Sequence, residues 1–482
     1  MRFISTIVHL LSFATILIFG PYSLFELGQV AFFFFIGWVA IDLAYRKAMI
    51  TADRSLMWTM NSIIGFYLFA YPFKFAAGLF LAEEYWVVPG LIKASDLIAA
   101  FPDAYLLSTI GLVALIAGMI FSPFKSKLVW RAESSSVRFW TLFLLSLLML
   151  VAKFYLKSTF SLGIPGVEPA YMSVPYLSGA VALIIHGGSL AFFNLLLFFA
   201  LAKRQMSLAM IGLAIAFLNA LIDLRFGSKG TVIYQLVITV IYLFMLRTAV
   251  PLRVRGAFNG LVKKFGVVLS IVGLVILSSY RYVNSYRSAL ISGYDINPAI
   301  TFALNSDKAA SQSSIMEVAN RIIGIETLGA LVTQGQRLVA DTGLVAMLDG
   351  SFVSSFTYEI LGTDDALTKF SVTQFAYFYY TGGYTGLILG FFALGLLFTV
   401  CLSILARMTI NESVKLACLP VLFVLFVNIL MGGGNFFLTF KELSVALVMF
   451  YIWGRIACKN PSSINKSGVM SSVRPRHPQA TN

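Results

Sequence analysis

The sequence predicts an all-α polytopic integral membrane protein of about twelve transmembrane helices, with a large external loop containing amphipathic helices. Two observations predict that class. Hydrophobic residues make up 59% of the chain against 12% charged, and the mean hydropathy is +0.87, a balance that excludes a soluble domain. Apolar runs long enough to cross about 30 Å of hydrocarbon as helices recur from one end to the other. None shows the short alternating segments of an outer-membrane barrel.

The runs fall at 4–20, 27–45, 56–81, 104–122, 138–156, 177–201, 206–222, 231–247, 264–280, 381–406, 413–431 and 440–456. The first follows Arg2 and shows no small-residue cleavage pattern before Pro21, so it is read as a retained helix rather than a signal. With the amino terminus inside, 22 of the 35 basic residues lie in cytoplasmic loops and the tail, beside only four acids, Asp42, Asp53, Glu133 and Glu412. That asymmetry sets the orientation and places both termini in the cytoplasm. The net charge of +14 is therefore read as a loop excess of a membrane protein, with no nucleic-acid partner.

The chain divides into helices 1 to 9 with short loops over 1–280, a large external loop over 281–380, helices 10 to 12 over 381–456, and a tail over 457–482 whose Ser, Pro and Asn content reads as disordered. Within the loop, Ser314 to Val339 spaces Ile315, Val318, Ile322, Ile325 and Leu328 near a helical repeat, as in a helix lying on the membrane surface. A second such piece is expected over Met347–Leu361. Leu367–Tyr380 reads as a third or as a partial re-entrant helix, with Phe375, Tyr377, Phe378, Tyr379 and Tyr380 at headgroup level.

Cys401, Cys418 and Cys458 fall in or just after apolar runs, which predicts neither a disulfide nor a cysteine metal site. No DxD pair, HExxH, Walker loop or GxSxG occurs, so no metal and no cofactor is expected.

One external connection stands against the charge rule. Ile222 to Thr231, IDLRFGSKGT, carries Arg225 and Lys229 beside Gly227, Ser228 and Gly230, where short external loops normally avoid cations. Two cations on a backbone that glycine lets approach a ligand read as an anion site; headgroup anchoring by snorkelling side chains is the alternative. Arg281 and Arg287, interleaved with Tyr280, Tyr282 and Tyr286 in SSYRYVNSYRS, add guanidinium forks that match phosphate oxygens and tyrosines that stack on sugars, or else ordinary interfacial anchors. Arg321 and Arg337 lie on the amphipathic segment, either toward a substrate or on its polar face.

A transfer to a hydroxyl also needs a base. Glu326, five residues after Arg321, is the candidate catalytic acid beside Arg225 and Arg281. Asp223 is nearer to Arg225 and is expected to pair with it or to act at the helix end; spacing does not choose between the acids. His186 lies mid-span, where a direct role competes with a neutral interhelical bond. Lys74 and Lys153 are expected to snorkel. The small residues of TGGYTGLILGFFALG, Gly382, Gly383, Gly386, Gly390 and Gly395, permit close helix contact.

The basic Gly/Ser motif RFGSKG between two runs, the long external loop with arginines and the glycine-rich helix after it resemble the O-antigen polymerases, the Wzy-type repeat-unit polymerases of bacterial inner membranes. The resemblance implies a GT-C-like fold and a metal-independent glycosyltransferase that moves a growing glycan from undecaprenyl diphosphate onto another lipid-linked unit. It further implies surface-polysaccharide biosynthesis, such as lipopolysaccharide, a membrane-lipid environment and a chain-length regulator protein as a partner. Carried over by motif, Arg225 and Lys229 would face the diphosphate, with Arg281 and Arg321 completing the site; the family more often reads SRG, which leaves the role of Lys229 open. Arg287, Arg337 and Tyr282 join them as substrate-binding candidates. The O-antigen ligases are similar in topology but tend to carry a histidine in the external loop, whereas His9, His186 and His477 all lie elsewhere. A transporter or flippase of lipid-linked glycans is the alternative from another class; such proteins usually show two related halves, and no internal repeat is evident here.

Overall fold

The computed structural model describes residues 2–50, 94–123, 139–160, 188–203, 205–226, 230–249, 255–292, 296–305, 373–432 and 436–457, with isolated positions between them. Among the described residues all regular structure is helical: α1 (Arg2–Phe19), α2 (Leu24–Ile50), α3 (Ala94–Ala99), α4 (Phe101–Phe121), α5 (Phe139–Phe160), α6 (Ser189–Ala202), α7 (Met206–Arg225), α8 (Gly230–Ala249), α9 (Arg255–Ile291), α10 (Ile296–Leu304), α11 (Gln374–Arg407), α12 (Glu412–Gly432) and α13 (Phe436–Ala457). Every expected apolar run except 56–81 coincides, in whole or in part, with one of these helices. Of the described helices, α4, α5, α7 and α11 are long and apolar enough to cross a membrane. The second amphipathic piece, the tail and His186 lie outside the described residues, as does most of Ser314–Val339.

The centre of the bundle is α6, apolar all round. Phe192, Phe193 and Leu195 through Leu201 are fully buried, because α5, α7, α8, α12 and α13 all pack on it. Its one amide, Asn194, is met by Gln235 of α8, whose Nε2 donates to Asn194 Oδ1 at 2.9 Å; Tyr242 on α8 then donates to the Ala417 carbonyl of α12 at 2.7 Å. A buried amide without a partner is costly, so the sequence provides one.

Polarity on α5 runs opposite to that of a soluble helix. Ser146, Lys153 and Lys157 are buried, while Leu144, Leu148, Val151 and Tyr155 face outward. An exterior of that composition suits hydrocarbon, not water.

The closest helix contact joins α4 to α11. A Cβ at Gly118 would lie 2.2 Å from the Phe392 carbonyl oxygen, and one at Gly395 would lie 2.2 Å from that of Leu115. Glycine at both positions lets the backbones touch, as the glycine spacing led us to expect for Gly395. The Thr399 and Ser122 hydroxyls, 2.6 Å apart, join the same two segments nearer the α4 end.

The amino-terminal part of α11 falls partly in the stretch read as a third surface helix or a partial re-entrant helix. Its helix continues from Gln374 and bends at Gly382 and Gly383, the latter at φ 57 and ψ −145, a backbone that only glycine adopts without strain. Beyond the bend the two pieces run back along each other: Phe375 lies 4.3 Å from Phe391, ring centre to ring centre, and the Phe378 ring sits against Gly390. Phe375, Tyr377, Phe378 and Tyr380 are buried in the protein core and Tyr379 is half-buried. Neighbouring helices supplied a partner that local sequence did not show.

Candidate functional site

The site is built where α5, α7 and α9 meet. On α5, Lys153 and Lys157 are one turn apart and point to the same side; on α7, Asn219 and Asp223 repeat that spacing. The two faces meet. Lys153 Nζ donates to Asn219 Oδ1 at 2.6 Å and to Asp223 Oδ2 at 2.8 Å, with the Ser189 hydroxyl of α6 at 3.4 Å. Lys157 Nζ takes the other carboxylate oxygen, Oδ1, also at 2.8 Å. That contact is ionic rather than an aligned hydrogen bond.

None of these side chains reaches solvent: Lys153, Lys157 and Asp223 are 2%, 0% and 2% exposed. Each attraction is worth about 6 kcal/mol at an effective dielectric near 20, and desolvation removes several kcal/mol per ion. The group thus contributes more to fixing the α5–α7 register than to net stability.

Two expectations are corrected here. Lys153 does not snorkel, because it turns inward to a carboxylate. Asp223 pairs with Lys153 and Lys157 and not with Arg225. Both oxygens are engaged by ammonium groups, which leaves Asp223 poorly suited to act as a base. The usable signal was two pairs of polar residues at i, i+4 that begin inside an apolar run and end just past it, Lys153 with Lys157 and Asn219 with Asp223, each expensive to leave facing lipid.

Arg225 ends α7 on the other side of Asp223. Its guanidinium lies over the Phe154 ring at 5.3 Å, and the Phe154 and Phe226 rings are 6.0 Å apart. Lys157 in turn lies 5.9 Å from the centre of the Phe226 ring. The order across the site is cation, ring, ring, cation. Among the described residues no carboxylate pairs with Arg225, which is exposed.

Arg225 stands at a cavity of about 490 Å³ lined by Leu221 and Leu224 of α7, Tyr282 and Tyr286 of α9, and Ile300, Ala303 and Leu304 of α10. The Tyr286 hydroxyl donates to the Arg225 carbonyl, satisfying one of the acceptors left open at the end of α7. This geometry exists because α9 does not stop where its apolar run ends. It continues for three turns to Ile291, and α10 folds back on it through Tyr286, Ala289, Ala299 and Ala303.

The structure therefore brings Arg225 and Tyr282, two of the expected site residues, to one cavity. Arg281 and Arg287 lie on the same three turns of α9, their side chains outside the described residues. Lys229, Arg321, Glu326 and Arg337 also lie outside them.

The chain matches no protein-family model, no curated protein and no solved structure.

An exposed guanidinium beside a largely apolar cavity can hold an anion whose remainder is hydrophobic. The two tyrosines bring ring faces to the lining of that cavity. Among the described residues, no group of three or more His, Cys, Asp or Glu is placed to hold a metal.

Proposed function

We propose that this chain is a GT-C-like membrane glycosyltransferase of about twelve spans in a bacterial inner membrane, with both termini cytoplasmic. In this reading it polymerises undecaprenyl-diphosphate-linked repeat units into O antigen or a related surface polysaccharide. The observation that carries the reading is Arg225, a cation with no carboxylate partner among the described residues, held over Phe154 at the rim of an apolar cavity shared with Tyr282 and Tyr286. A lipid-linked diphosphate has the matching form, an anionic head on an apolar chain. One Arg–phosphate attraction at about 4 Å is worth roughly 4 kcal/mol at an effective dielectric near 20, before desolvation. Further cations from the RFGSKG stretch and the external loop, Lys229, Arg281, Arg287, Arg321 and Arg337, would add to stabilisation of the leaving diphosphate, and Glu326 is the candidate base. A chain-length regulator would be its protein partner.

The experiment is a glycan gel. Deleting the gene is expected to leave lipopolysaccharide capped with one repeat unit, and Arg225→Ala is expected to reproduce that pattern with the protein still in the membrane. Loss of every repeat unit would instead identify a ligase or a flippase. A transporter is the second reading, because buried ionisable groups such as Lys153, Lys157 and Asp223 within apolar helices also mark transport pathways.

A further inference from the structure

We infer that Asp223, together with Lys153 and Lys157, is a positioning unit: the buried ion cluster fixes the last turn of α7 so that Arg225 is presented to an anionic lipid headgroup at the cavity between α7, α9 and α10. The inference rests on the anion-site reading of Arg225.

Helix ends fray, since their last carbonyls lack partners within the helix. The end of α7 is held by two helices, α5 and α9. Two residues before Arg225, the Asp223 carboxylate is gripped at both oxygens by lysines of α5, each 2.8 Å away. From α9, Tyr286 bonds the Arg225 carbonyl itself. Between them the guanidinium rests on Phe154, which is one residue from Lys153 on α5, while Phe226 rests against Lys157. The lysines therefore hold Asp223, two residues before Arg225, from the same helix that carries the ring on which Arg225 lies.

The charges support the same assignment. Lys153, Lys157 and Arg225 bring three positive charges to one carboxylate, so the surroundings favour an incoming anion. Lys153 and Lys157 are buried and do not line the cavity, so they act through Arg225 and not on the ligand. A pre-set guanidinium binds more tightly than a mobile one because less conformational freedom is lost on binding.

The test is a double-mutant cycle on the purified full chain in detergent, with farnesyl diphosphate as the anionic probe and farnesol as its neutral counterpart, both followed by calorimetry. Arg225→Ala is expected to weaken diphosphate binding at least tenfold. Asp223→Asn is expected to weaken it five- to tenfold, to leave farnesol binding unchanged, and to add nothing in the Arg225→Ala background. Additive losses, or equal losses for farnesol, would overturn the inference by showing a general loosening of the fold. Native diphosphate affinity in Asp223→Asn would overturn it while sparing the anion site. Native affinity in Arg225→Ala would remove the anion site as well. Should Asp223→Asn not accumulate, the variant with Lys153→Met, Lys157→Met and Asp223→Leu replaces the cluster by apolar side chains of similar size and carries the same cycle.

Discussion

Lys157 and Arg225 sit on opposite sides of a pair of aromatic rings, Lys157 over Phe226 at 5.9 Å and Arg225 over Phe154 at 5.3 Å. One cation is sealed in the bundle and bound to Asp223; the other is exposed at a cavity. One short stretch of α7 thus carries both Asp223, which holds the buried cation of α5, and Arg225, the available one. Substitutions at Asp223 and at Arg225 separate these roles.

Asp223→Ala is expected to destabilise the protein by about 3–5 kcal/mol, since it strands two buried ammonium groups. Replacing Lys153, Lys157 and Asp223 together by Met, Met and Leu is expected to recover most of that loss. Thermal unfolding in one detergent, run on both variants, checks the pair.

Arg225→Ala is expected to change stability little, because an exposed cation–ring contact is worth about 0.5–1 kcal/mol. Binding of an anionic lipid probe is expected to fall sharply. Arg225→Lys is expected to restore only part of it, since an ammonium neither stacks flat on Phe154 nor forks toward phosphate oxygens. A melting curve and a titration on the same preparations distinguish the two effects.

Gly118→Ala and Gly395→Ala are each expected to cost at least about 1–3 kcal/mol, because the added methyl meets backbone of the neighbouring helix. Gly28→Ala on α2, where a Cβ meets nothing within 4 Å, is the matched control and is expected to be neutral or slightly stabilising. Unfolding temperatures of the three variants decide the matter.

Asn194→Leu is expected to cost about 1–3 kcal/mol by leaving the Gln235 amide buried and unmatched. Asn194→Leu with Gln235→Leu is expected to be closer to the native stability, because both polar groups go together. A cost for the double variant equal to the sum of the singles would sink this account.

Much of the helical pattern was readable without coordinates. Apolar runs dictate helices in a medium where each backbone polar group must be satisfied within its own segment, and the described helices follow those runs closely. The boundaries were less readable. The helix ending at Arg225 outlasts its apolar run by three residues, α9 by eleven, and α11 begins seven residues before its run does. Asp223 on α7, Tyr286 on α9 and Phe375, Tyr377 and Phe378 on α11 lie in these extensions and are buried against other parts of the protein. A capping box also went unread at Ser23 and Glu26, where the carboxylate accepts from the Ser23 backbone N–H at 2.8 Å.

By itself the sequence determined that the chain is helical and built for an apolar medium, and that Arg225 falls just past the end of an apolar run, beside a Gly/Ser stretch. Those properties follow from composition and run length, which act locally. Only the tertiary structure decided that Lys153 and Lys157 turn inward to Asp223, that the aromatics before Gly382 are core residues, and that Tyr282 and Tyr286 meet Arg225 at one cavity. The reason is geometric. A side chain's spacing along a helix fixes its face, but which charge, ring or cavity it meets depends on which helix packs against that face and at what height.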